Sequence, residues 1–295
     1  MTCMIDLTPS ATILVHGGAG SAMADADGCL TAATIARDKL DESGDALAAA
    51  VAAVVSLEAD GRFNAGAGAI LGLDGETIEM DAAVMDSGTR LGAVACIRRV
   101  KHPVLVALDV AASPHRMLAG EGAIRFARIG GHPDFYSPSD KARSAHRELI
   151  ASLGPDQGPF GMLWNYDRPP PAGRQFGCDT VGAVVRGPDG QFAVAASTGG
   201  SAPSLLGRVG DTPLIGCGFY AGKHGAVTVT GVGETIIPHL LAHTVYQWLA
   251  DGMPMEQALA RGLELVQENV DIGILAITDT IGGAASKHGM PSAVL

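Results

Sequence analysis

The sequence predicts an α+β fold in which two mainly antiparallel sheets are stacked and helices cover their outer faces. Hairpin signals outnumber strand–helix–strand units along the 295 residues, which favours antiparallel pairing. The apolar segments also lack the polar alternation of a strand with one wet face, as in "VGAVV" at residues 181–185. Two stacked sheets with helices outside satisfy both observations.

The first half of the chain combines strands with one strongly apolar helix. Residues 12–16 predict a strand that ends in the glycine turn "GGAG". Asp45 is a good N-cap for a helix over residues 46–58, which is apolar nearly all round and is expected to be buried on several sides. The other predicted elements of this half are a hairpin of residues 69–73 and 77–85 around Asp74-Gly75, a strand over 92–100, and a helical region from 104 to about 129.

The second half repeats this pattern after an unusual segment. Residues 152–177 carry five Pro and five Gly without helical or strand periodicity, so residues 152–179 are predicted to form a flexible linker. Pro188-Asp189-Gly190 predicts a hairpin turn. The remaining predicted elements are strands over 180–187, 191–198, 213–218, 226–233 and 273–279, and helices near 234–250 and 254–270.

Composition excludes several classes of protein. The net charge of −11 argues against a nucleic-acid or anionic-membrane surface. The five cysteines are scattered and form no CxxC pair, which argues against a disulfide framework or a zinc site and favours a reducing compartment. We see no signal-peptide pattern and no run of about 18 apolar residues. These features predict a cytoplasmic protein with neither a nucleic acid nor a membrane as partner.

Sequence motifs for other common chemistries are either absent or lie in an unsuitable structural context. "GCGFYA" at residues 216–221 has the letters of a dinucleotide fingerprint, but the "GKHGAV" after it cannot begin a helix. No HExxH is present, and His16 at a strand end is more often structural than a metal ligand. A serine or cysteine triad lacks GxSxG, and Cys178 has no evident histidine partner.

Thr180 stands where the glycine- and proline-rich segment meets a buried strand. A threonine in that position is most often a plain strand residue. The Asp179-Thr180 dipeptide at the end of the linker allows another interpretation, in which the chain is cut and Thr180 becomes an N-terminus. Such a threonine carries a nucleophilic hydroxyl and, in its α-amine with a pKa near ~7.7–8.0, a base for the hydroxyl proton.

Polar residues downstream of Thr180 suit the handling of an amino acid. Arg208 presents a planar fork for a carboxylate, and Asp211 can pair with an ammonium group. The alternative is that this pair is only a surface ion pair in a turn. The hydroxyl of Thr230 and the backbone N–H of Gly231 can serve a developing oxyanion, and Thr198 ends the strand before.

With these residues assembled, the chain resembles the plant-type asparaginase / isoaspartyl peptidase family of N-terminal-nucleophile (Ntn) hydrolases. The matching segments, in order, are "HGGAG", "LEADGRFNAGAGA", "MDAAVMD", "AGEGAIRFA", "DTVGAVV", "ASTGG", "GRVGDTPLIGCG" and "TGVGE". The resemblance implies a single domain with a four-layer αββα sandwich. It also implies a cut between Asp179 and Thr180 into an α chain (1–179) and a β chain (180–295), and an (αβ)2 dimer of such units.

The resemblance also implies roles for individual residues. Thr180 is the nucleophile and Thr198 orients it, while Thr230 Oγ1 and the Gly231 N–H form the oxyanion hole. The α-carboxylate and α-ammonium of the aspartyl substrate are held by Arg208 and Asp211, with the Gly233 backbone nearby. Asn64 matches a position beside the nucleophile and is counted with the catalytic residues. No cofactor is implied for catalysis, but a structural Na⁺ is implied, held by backbone carbonyls of Leu57, Glu58, Asp60, Phe63, Ala65 and Ala67.

One segment departs from the family pattern and leaves the substrate's leaving group open. Many members carry a basic or Asn-Lys pair between "STGG" and "GRVGD", where this chain has "SAPSLL" at residues 201–206. The predicted function is release of L-aspartate from β-aspartyl dipeptides, with L-asparaginase activity. The alternatives are a narrow β-Asp-Arg or β-Asp-Lys isodipeptidase, a glycosylasparagine amidase and, from another class, a non-catalytic or nucleotide-binding module on the same fold.

Overall fold

The two stacked sheets are present in the computed structural model, which describes residues 4–10, 12–153 and 179–295. The larger sheet contains, in spatial order, β12 (Ser292–Val294), β2 (Ile13–His16), β6 (Thr180–Arg186), β7 (Phe192–Thr198), β3 (Met80–Asp86), β4 (Leu91–Ile97) and β5 (Met117–Ala119). The smaller sheet contains β1 (Met4–Pro9), β11 (Ile281–Ser286), β10 (Ile272–Ile277), β9 (Gly225–Gly231) and β8 (Phe219–Gly222). Neighbouring strands pair antiparallel except β4 and β5, which confirms the predicted pairing.

The described helices are α1 (Ala26–Ser43), α2 (Ala46–Asp60), α3 (Pro103–Ala111), α4 (Gly120–Ile129), α5 (Asp140–Leu153), α6 (Gly233–Ile236), α7 (Leu241–Ala250) and α8 (Met255–Glu264). Most of them cover the outer faces of the two sheets. One apolar core joins α1 to α4 with the larger sheet, and another joins α7 and α8 with the smaller sheet. A third core lies between the sheets, so the fold is the predicted four-layer αββα sandwich.

Burial on both faces explains why the strands lack polar alternation. In β2, Ile13 and Val15 belong to the core under the helices, whereas Leu14 belongs to the core between the sheets. In β6, Val185 faces the helices and Val184 faces the other sheet. Successive side chains of a strand point to opposite faces, and here both faces are dry.

The predicted N-cap of α2 is confirmed. Asp45 Oδ1 accepts hydrogen bonds from the backbone N–H groups of Leu47 at 2.9 Å and Ala48 at 3.2 Å. Arg90 donates to both oxygens of the same carboxylate, at 2.7 and 2.8 Å. The hydrogen bonds from Arg90, the largest cause, lower the pKa of Asp45 to about 2. Asp45 therefore connects the start of α2 to the segment just before β4.

We expect Asp45→Ala to lower the free energy of unfolding by about 1–2 kcal/mol, because the helix loses its cap. Since the folded pKa of Asp45 lies below the ordinary value of 3.8, its stabilisation is present above pH 4 and is lost as pH falls towards 2. Urea unfolding at pH 7 and pH 3 checks both statements, with the exposed Asp41→Ala as the control. Equal losses for the two variants at pH 7 would contradict this role for Asp45.

Two predicted strands do not form. Residues 69–73 lead into the predicted turn, where Gly72 N–H donates to Thr77 O and Asp74 Oδ1 accepts from the N–H groups of Glu76 and Thr77. The turn exists without a hairpin because β3 already pairs with β4 and β7 on its two edges. Residues 213–218 form local turns instead, and the strand β8 begins only at Phe219.

Several predicted helix limits are also wrong. The region 104–129 is two helices, α3 and α4, with Pro114 and the short strand β5 between them. The region 234–250 is divided into α6, a 3-10 turn containing Pro238, and α7, while α8 already ends at Glu264. The elements that sequence patterns did not indicate are α1, α5, β1, β11 and β12. Among the described helices, none is long and apolar enough to cross a membrane.

The predicted linker falls largely outside the described residues. Ser152 and Leu153 belong to the last turn of α5, and Asp179 directly precedes β6, whereas residues 154–178 are not described. Cys3 and Cys178 likewise lie outside the described ranges. The three described cysteines, Cys29, Cys96 and Cys217, are buried free thiols.

Candidate active site

Thr180 begins a strand that packs closely against the other sheet at a glycine. It is the first residue of β6 and is only 2% exposed. Two residues on, a Cβ built on Gly182 would lie 2.5 Å from His16 Nε2 and 2.7 Å from Thr228 Oγ1. Any larger residue would push β6 away from β9, so Gly182 allows the start of β6 to sit against the threonines of β9.

Thr230, near the end of β9, is a polar partner of the Thr180 backbone. Its Oγ1 accepts a hydrogen bond from the N–H of Thr180 at 3.1 Å and another from the N–H of Ala19 at 3.2 Å. A threonine hydroxyl has two acceptor lone pairs and one proton. With both lone pairs used, the Thr230 proton is left to donate, which is what an oxyanion-hole hydroxyl must do.

The Thr180 hydroxyl itself contacts another hydroxyl. Thr180 Oγ1 lies 3.0 Å from Thr212 Oγ1, and Thr212 is buried as completely as Thr180. Thr212 directly follows Asp211, so one short segment of chain reaches both Thr180 and the predicted ammonium site. Sequence reasoning had assigned no role to Thr212.

Thr198 and Asn64 together hold the turn that follows β7. Thr198 pairs with Thr180 across the ladder between β6 and β7, and its Oγ1 accepts from Gly200 N–H at 3.3 Å. Asn64 Nδ2 donates to Gly200 O at 2.8 Å, and the Gly199 N–H donates to Asn64 O at 2.8 Å. The structure therefore places Thr198 beside Thr180 in the sheet and Asn64 against the turn that follows Thr198.

Asp179 is packed against the glycine turn after β2. A Cβ built on Gly18, whose φ is +109°, would lie 2.6 Å from Asp179 Cβ. Burial raises the pKa of the Asp179 carboxyl to about 6, while a hydrogen bond from Ser21 and the charge of Lys141 act to lower it. The "GGAGS" turn at residues 17–21 thus packs against the residue that precedes Thr180.

Arg208, Asp211 and Gly233 converge on one spot, as predicted for an amino-acid clamp. A Cβ built on Gly233 would lie 2.9 Å from Arg208 Nη2 and 3.0 Å from Asp211 Oδ1. Arg208 Nε and Nη2 donate to the two carboxylate oxygens of Glu234, at 2.9 and 2.7 Å. The guanidinium is therefore fixed in orientation beside the surface of Gly233.

Asp211 has the electrostatic character of a site for a cation. It is 3% exposed, and its Oδ2 has no hydrogen-bond partner among the described residues. Burial raises the pKa of Asp211 to about 7, against the lowering effect of Arg208. A buried carboxylate with one oxygen unpaired is costly on its own and is stabilised when an ammonium group binds it.

A second buried carboxylate anchors the segment that carries this clamp. Asp81 Oδ1 accepts from Cys96 N–H at 2.8 Å, and Asp81 Oδ2 accepts a long hydrogen bond from Gly210 N–H at 3.5 Å. Asp211 O accepts from the N–H groups of Leu214 and Gly218 at 3.0 and 3.1 Å. The segment from Arg208 to Thr212 is thereby held at both ends of its turn.

Comparison with known proteins agrees with this geometry. The sequence model of the family described as Asparaginase matches residues 9–293. The chain belongs to this asparaginase family. Its αββα sandwich is accordingly an Ntn-hydrolase fold.

Individual members of the asparaginase family are similar to the chain over most of their length. An isoaspartyl peptidase/L-asparaginase from Danio rerio is 38% identical over 93% of this chain and 88% of its own length. A plant-type L-asparaginase from Pyrococcus abyssi is 37% identical over 87% of this chain and 85% of its own. The isoaspartyl peptidase/L-asparaginase of Homo sapiens is 34% identical over 93% and 89%.

Sequence reasoning about this family member missed four contacts of the site. They involve Thr212, Glu234, Asp81 and the backbone N–H of Ala19. Each lies inside a family segment that the sequence analysis had identified, respectively "GRVGDTP", "TGVGE", "MDAAV" and "HGGAG". Their position in those segments was the available signal, but the contacts join segments more than 20 residues apart and depend on tertiary packing.

In the loop predicted to bind Na⁺, two glycines pack tightly against backbone carbonyl oxygens. A Cβ built on Gly66 would lie 2.5 Å from Glu58 O, and one built on Gly68 would lie 2.0 Å from Phe63 O. Backbone carbonyl oxygens are suitable ligands for a hard cation. The Glu58 side chain is otherwise engaged, since it accepts from Val104 N–H and pairs with His102. Among the described residues, no group of three or more His, Cys, Asp or Glu side chains could hold a metal ion.

Proposed function

We propose that the protein is an amide hydrolase that releases L-aspartate from β-aspartyl dipeptides and also hydrolyses L-asparagine, with Thr180 as its N-terminal nucleophile. The observation that carries the proposal is the environment of Thr180. Its buried hydroxyl and its nitrogen lie beside Thr212 and Thr230, and Thr212 adjoins the clamp of Asp211 and Arg208. The names of the similar family members, isoaspartyl peptidase and L-asparaginase, support the same activity.

The active form is made by cutting the chain. Thr180 Oγ1 adds to the carbonyl carbon of Asp179, the bond from that carbon to the Thr180 nitrogen breaks, and the nitrogen takes up the hydroxyl proton. Water then hydrolyses the resulting ester, which leaves a carboxylate at Asp179 and a free α-amine on Thr180. The products are the α chain (1–179) and the β chain (180–295).

The free amine then serves as the base in turnover. With a pKa near ~7.7–8.0 it is partly neutral at physiological pH and accepts the Thr180 hydroxyl proton. The oxygen attacks the side-chain carbonyl of the aspartyl group, and the leaving amine takes a proton as it departs. Water attacks the β-aspartyl ester, aspartate leaves, and Thr180 recovers its proton. Thr230 Oγ1 and the Gly231 N–H stabilise the oxyanion in both steps, and Thr198 and Asn64 shape the turn beside them.

Recognition of the aspartyl half falls to the clamp. Asp211 holds the α-ammonium and Arg208 the α-carboxylate, in front of the Gly233 backbone. Glu234 orients Arg208 through two hydrogen bonds, to its Nε and Nη2. The clamp fixes only this half of the substrate, which is why β-aspartyl dipeptides rank before asparagine.

The leaving group meets a different surface. A shallow cleft beside Arg208 is lined by residues 200–201 and 204–206 together with Leu71 and Glu79. This is the segment in which the chain departs from the family pattern, so it is positioned to set leaving-group preference. A narrow specificity for β-Asp-Arg or β-Asp-Lys therefore stays an alternative, whereas no specific feature favours a glycosylasparagine amidase.

Aspartate release tests the activity and ranks the substrates. Purified protein is assayed with β-Asp-Leu, β-Asp-Arg, β-Asp-Lys and L-asparagine, and with α-Asp-Leu as the control for ordinary peptide cleavage. We expect release from the β-linked compounds and asparagine and none from α-Asp-Leu. An uncut protein that releases no aspartate from any of them would instead indicate a non-catalytic or nucleotide-binding module.

Three further properties belong to the same proposal. The αβ unit assembles as (αβ)2. Its loop from Leu57 to Ala67 holds a structural Na⁺ through backbone carbonyls, as the resemblance to the family implies. Its location is cytoplasmic, which is supported by the three described free thiols.

A further inference from the structure

We propose that Thr212 is a further catalytic residue, whose hydroxyl holds Thr180 Oγ1 in the attacking orientation and donates a hydrogen bond to it when it leaves. The proposal rests on the proposed function and adds a residue to it. Its basis is the 3.0 Å contact between the two Oγ1 atoms, in a place where both side chains are almost completely buried.

The lone pairs of Thr180 Oγ1 explain how this contact acts. A hydroxyl oxygen carries one proton and two lone pairs. In the mature chain the proton is directed to the α-amine of Thr180. If Thr212 donates its proton to one lone pair, only the other remains free, and that one attacks the substrate carbonyl. Thr212 thus removes the rotational freedom that an isolated threonine hydroxyl would have.

The same hydrogen bond acts in the second half of the reaction. When water attacks the β-aspartyl ester, the bond between the acyl carbon and Thr180 Oγ1 breaks and negative charge develops on Oγ1. The α-ammonium of Thr180 returns its proton to that oxygen. A hydrogen bond from Thr212 to Oγ1 stabilises the charge before the proton arrives.

The chain segment of Thr212 connects this role to substrate binding. Asp211, the neighbouring residue, is the predicted ammonium ligand. The segment is anchored where Gly210 N–H donates to Asp81 and where Asp211 O accepts hydrogen bonds from two backbone N–H groups. The position of the Thr212 hydroxyl is therefore set by the same turn that holds the aspartyl group. Thr212 thus lies in the chain segment that carries Arg208 and Asp211, and its hydroxyl contacts the reacting atom, Thr180 Oγ1.

Steady-state kinetics of Thr212→Val and Thr212→Ser, with β-Asp-Leu as substrate, test the proposal. We expect Thr212→Val, which keeps the shape and loses the hydroxyl, to lower kcat by about 10- to 100-fold with KM within about threefold of wild type. Thr212→Ser should recover kcat to within about threefold. Thr244→Val is the control, since Thr244 lies in α7 and its hydroxyl donates to the backbone oxygen of His239.

Several results would overturn it. They are an unchanged kcat in Thr212→Val, an equal loss of kcat in Thr212→Val and Thr212→Ser, and a change confined to KM. If the valine variant does not fold by circular dichroism, Thr212→Ala against Thr212→Ser makes the same comparison. The rate of chain cutting gives a readout that needs no substrate. A wild-type protein that cuts but does not hydrolyse β-Asp-Leu would contradict the proposed function. The cutting rates of the Thr212 variants would then still test the role of Thr212.

Discussion

Thr180→Ala is expected to give an uncut chain of 30.0 kDa that releases no aspartate from β-aspartyl dipeptides. The same oxygen performs the cut and attacks the substrate, so its removal eliminates both reactions. Removal of the nucleophile from a covalent hydrolase lowers kcat on the order of 10⁶-fold. A denaturing gel and an aspartate-release assay on the same preparation measure the two losses together.

Thr180→Ser separates chemistry from packing in this experiment. Serine keeps the hydroxyl and the α-amine but loses the methyl group, which is buried in the wild-type protein. We therefore expect slower cutting and reduced but measurable hydrolysis. An alanine variant that is cut at the normal position, or that keeps more than about a hundredth of wild-type activity, would rule out Thr180 as the nucleophile.

Asp211→Asn should have the second largest effect, a fall in kcat/KM of at least about 30-fold. Loss of one partner from a buried charge pair costs about 2–5 kcal/mol, much of it because the other charge is left buried and unpaired. Here that other charge is the α-ammonium of the bound substrate. The loss should appear mainly in KM. Asp189→Asn, an exposed residue in the turn between β6 and β7, is the matched control.

The same substitution should stabilise the substrate-free protein. Burial raises the pKa of Asp211 to about 7, so the folded state disfavours its charged form. Its contribution to stability is therefore complete below the unfolded value of 3.8 and is lost as pH rises through about 7. We expect Asp211→Asn to raise Tm at pH 8 and to have little effect on Tm near pH 4.

The activity of the protein should depend on pH with the opposite sign to its stability. The carboxylate must be charged to bind the ammonium group, so kcat/KM of the wild-type protein should fall as pH drops below about 7. The Thr180 amine must be neutral to act as the base, so its protonation at lower pH also reduces kcat/KM. A Tm that falls in Asp211→Asn at pH 8 would show that Asp211 serves the fold more than the substrate.

Sequence patterns predicted the layers of this fold better than its individual elements. Strands buried on both faces, such as β6 and β7, are visible as apolar runs, and the cap at Asp45 has a local signature. The strand predicted over residues 69–73 failed because β3 has no free edge to receive it, which is a property of the whole sheet. The strand β11 contains "IGGAAS", whose glycines and alanines have low strand propensity, and it forms because β1 and β10 flank it.

The candidate site also contains residues that the sequence predicts and residues that it does not. Residues with distinctive chemistry, namely Thr180, Arg208, Asp211 and Thr230, were predictable from residue type and from the resemblance. Thr212 and Glu234 were not, because a threonine after an aspartate and a glutamate in a helix's first turn have ordinary explanations. Their contacts appear only when β6, β9 and the segment from Arg208 to Thr212 are packed together.

The central claim is that Thr180 becomes an N-terminus, and intact-mass measurement of the purified protein under denaturing conditions tests it most directly. We predict two chains whose masses correspond to residues 1–179 and 180–295, with Thr180 as the first residue of the shorter one. A single chain of 30.0 kDa that hydrolyses β-aspartyl dipeptides, or a cut at any other peptide bond, would contradict it.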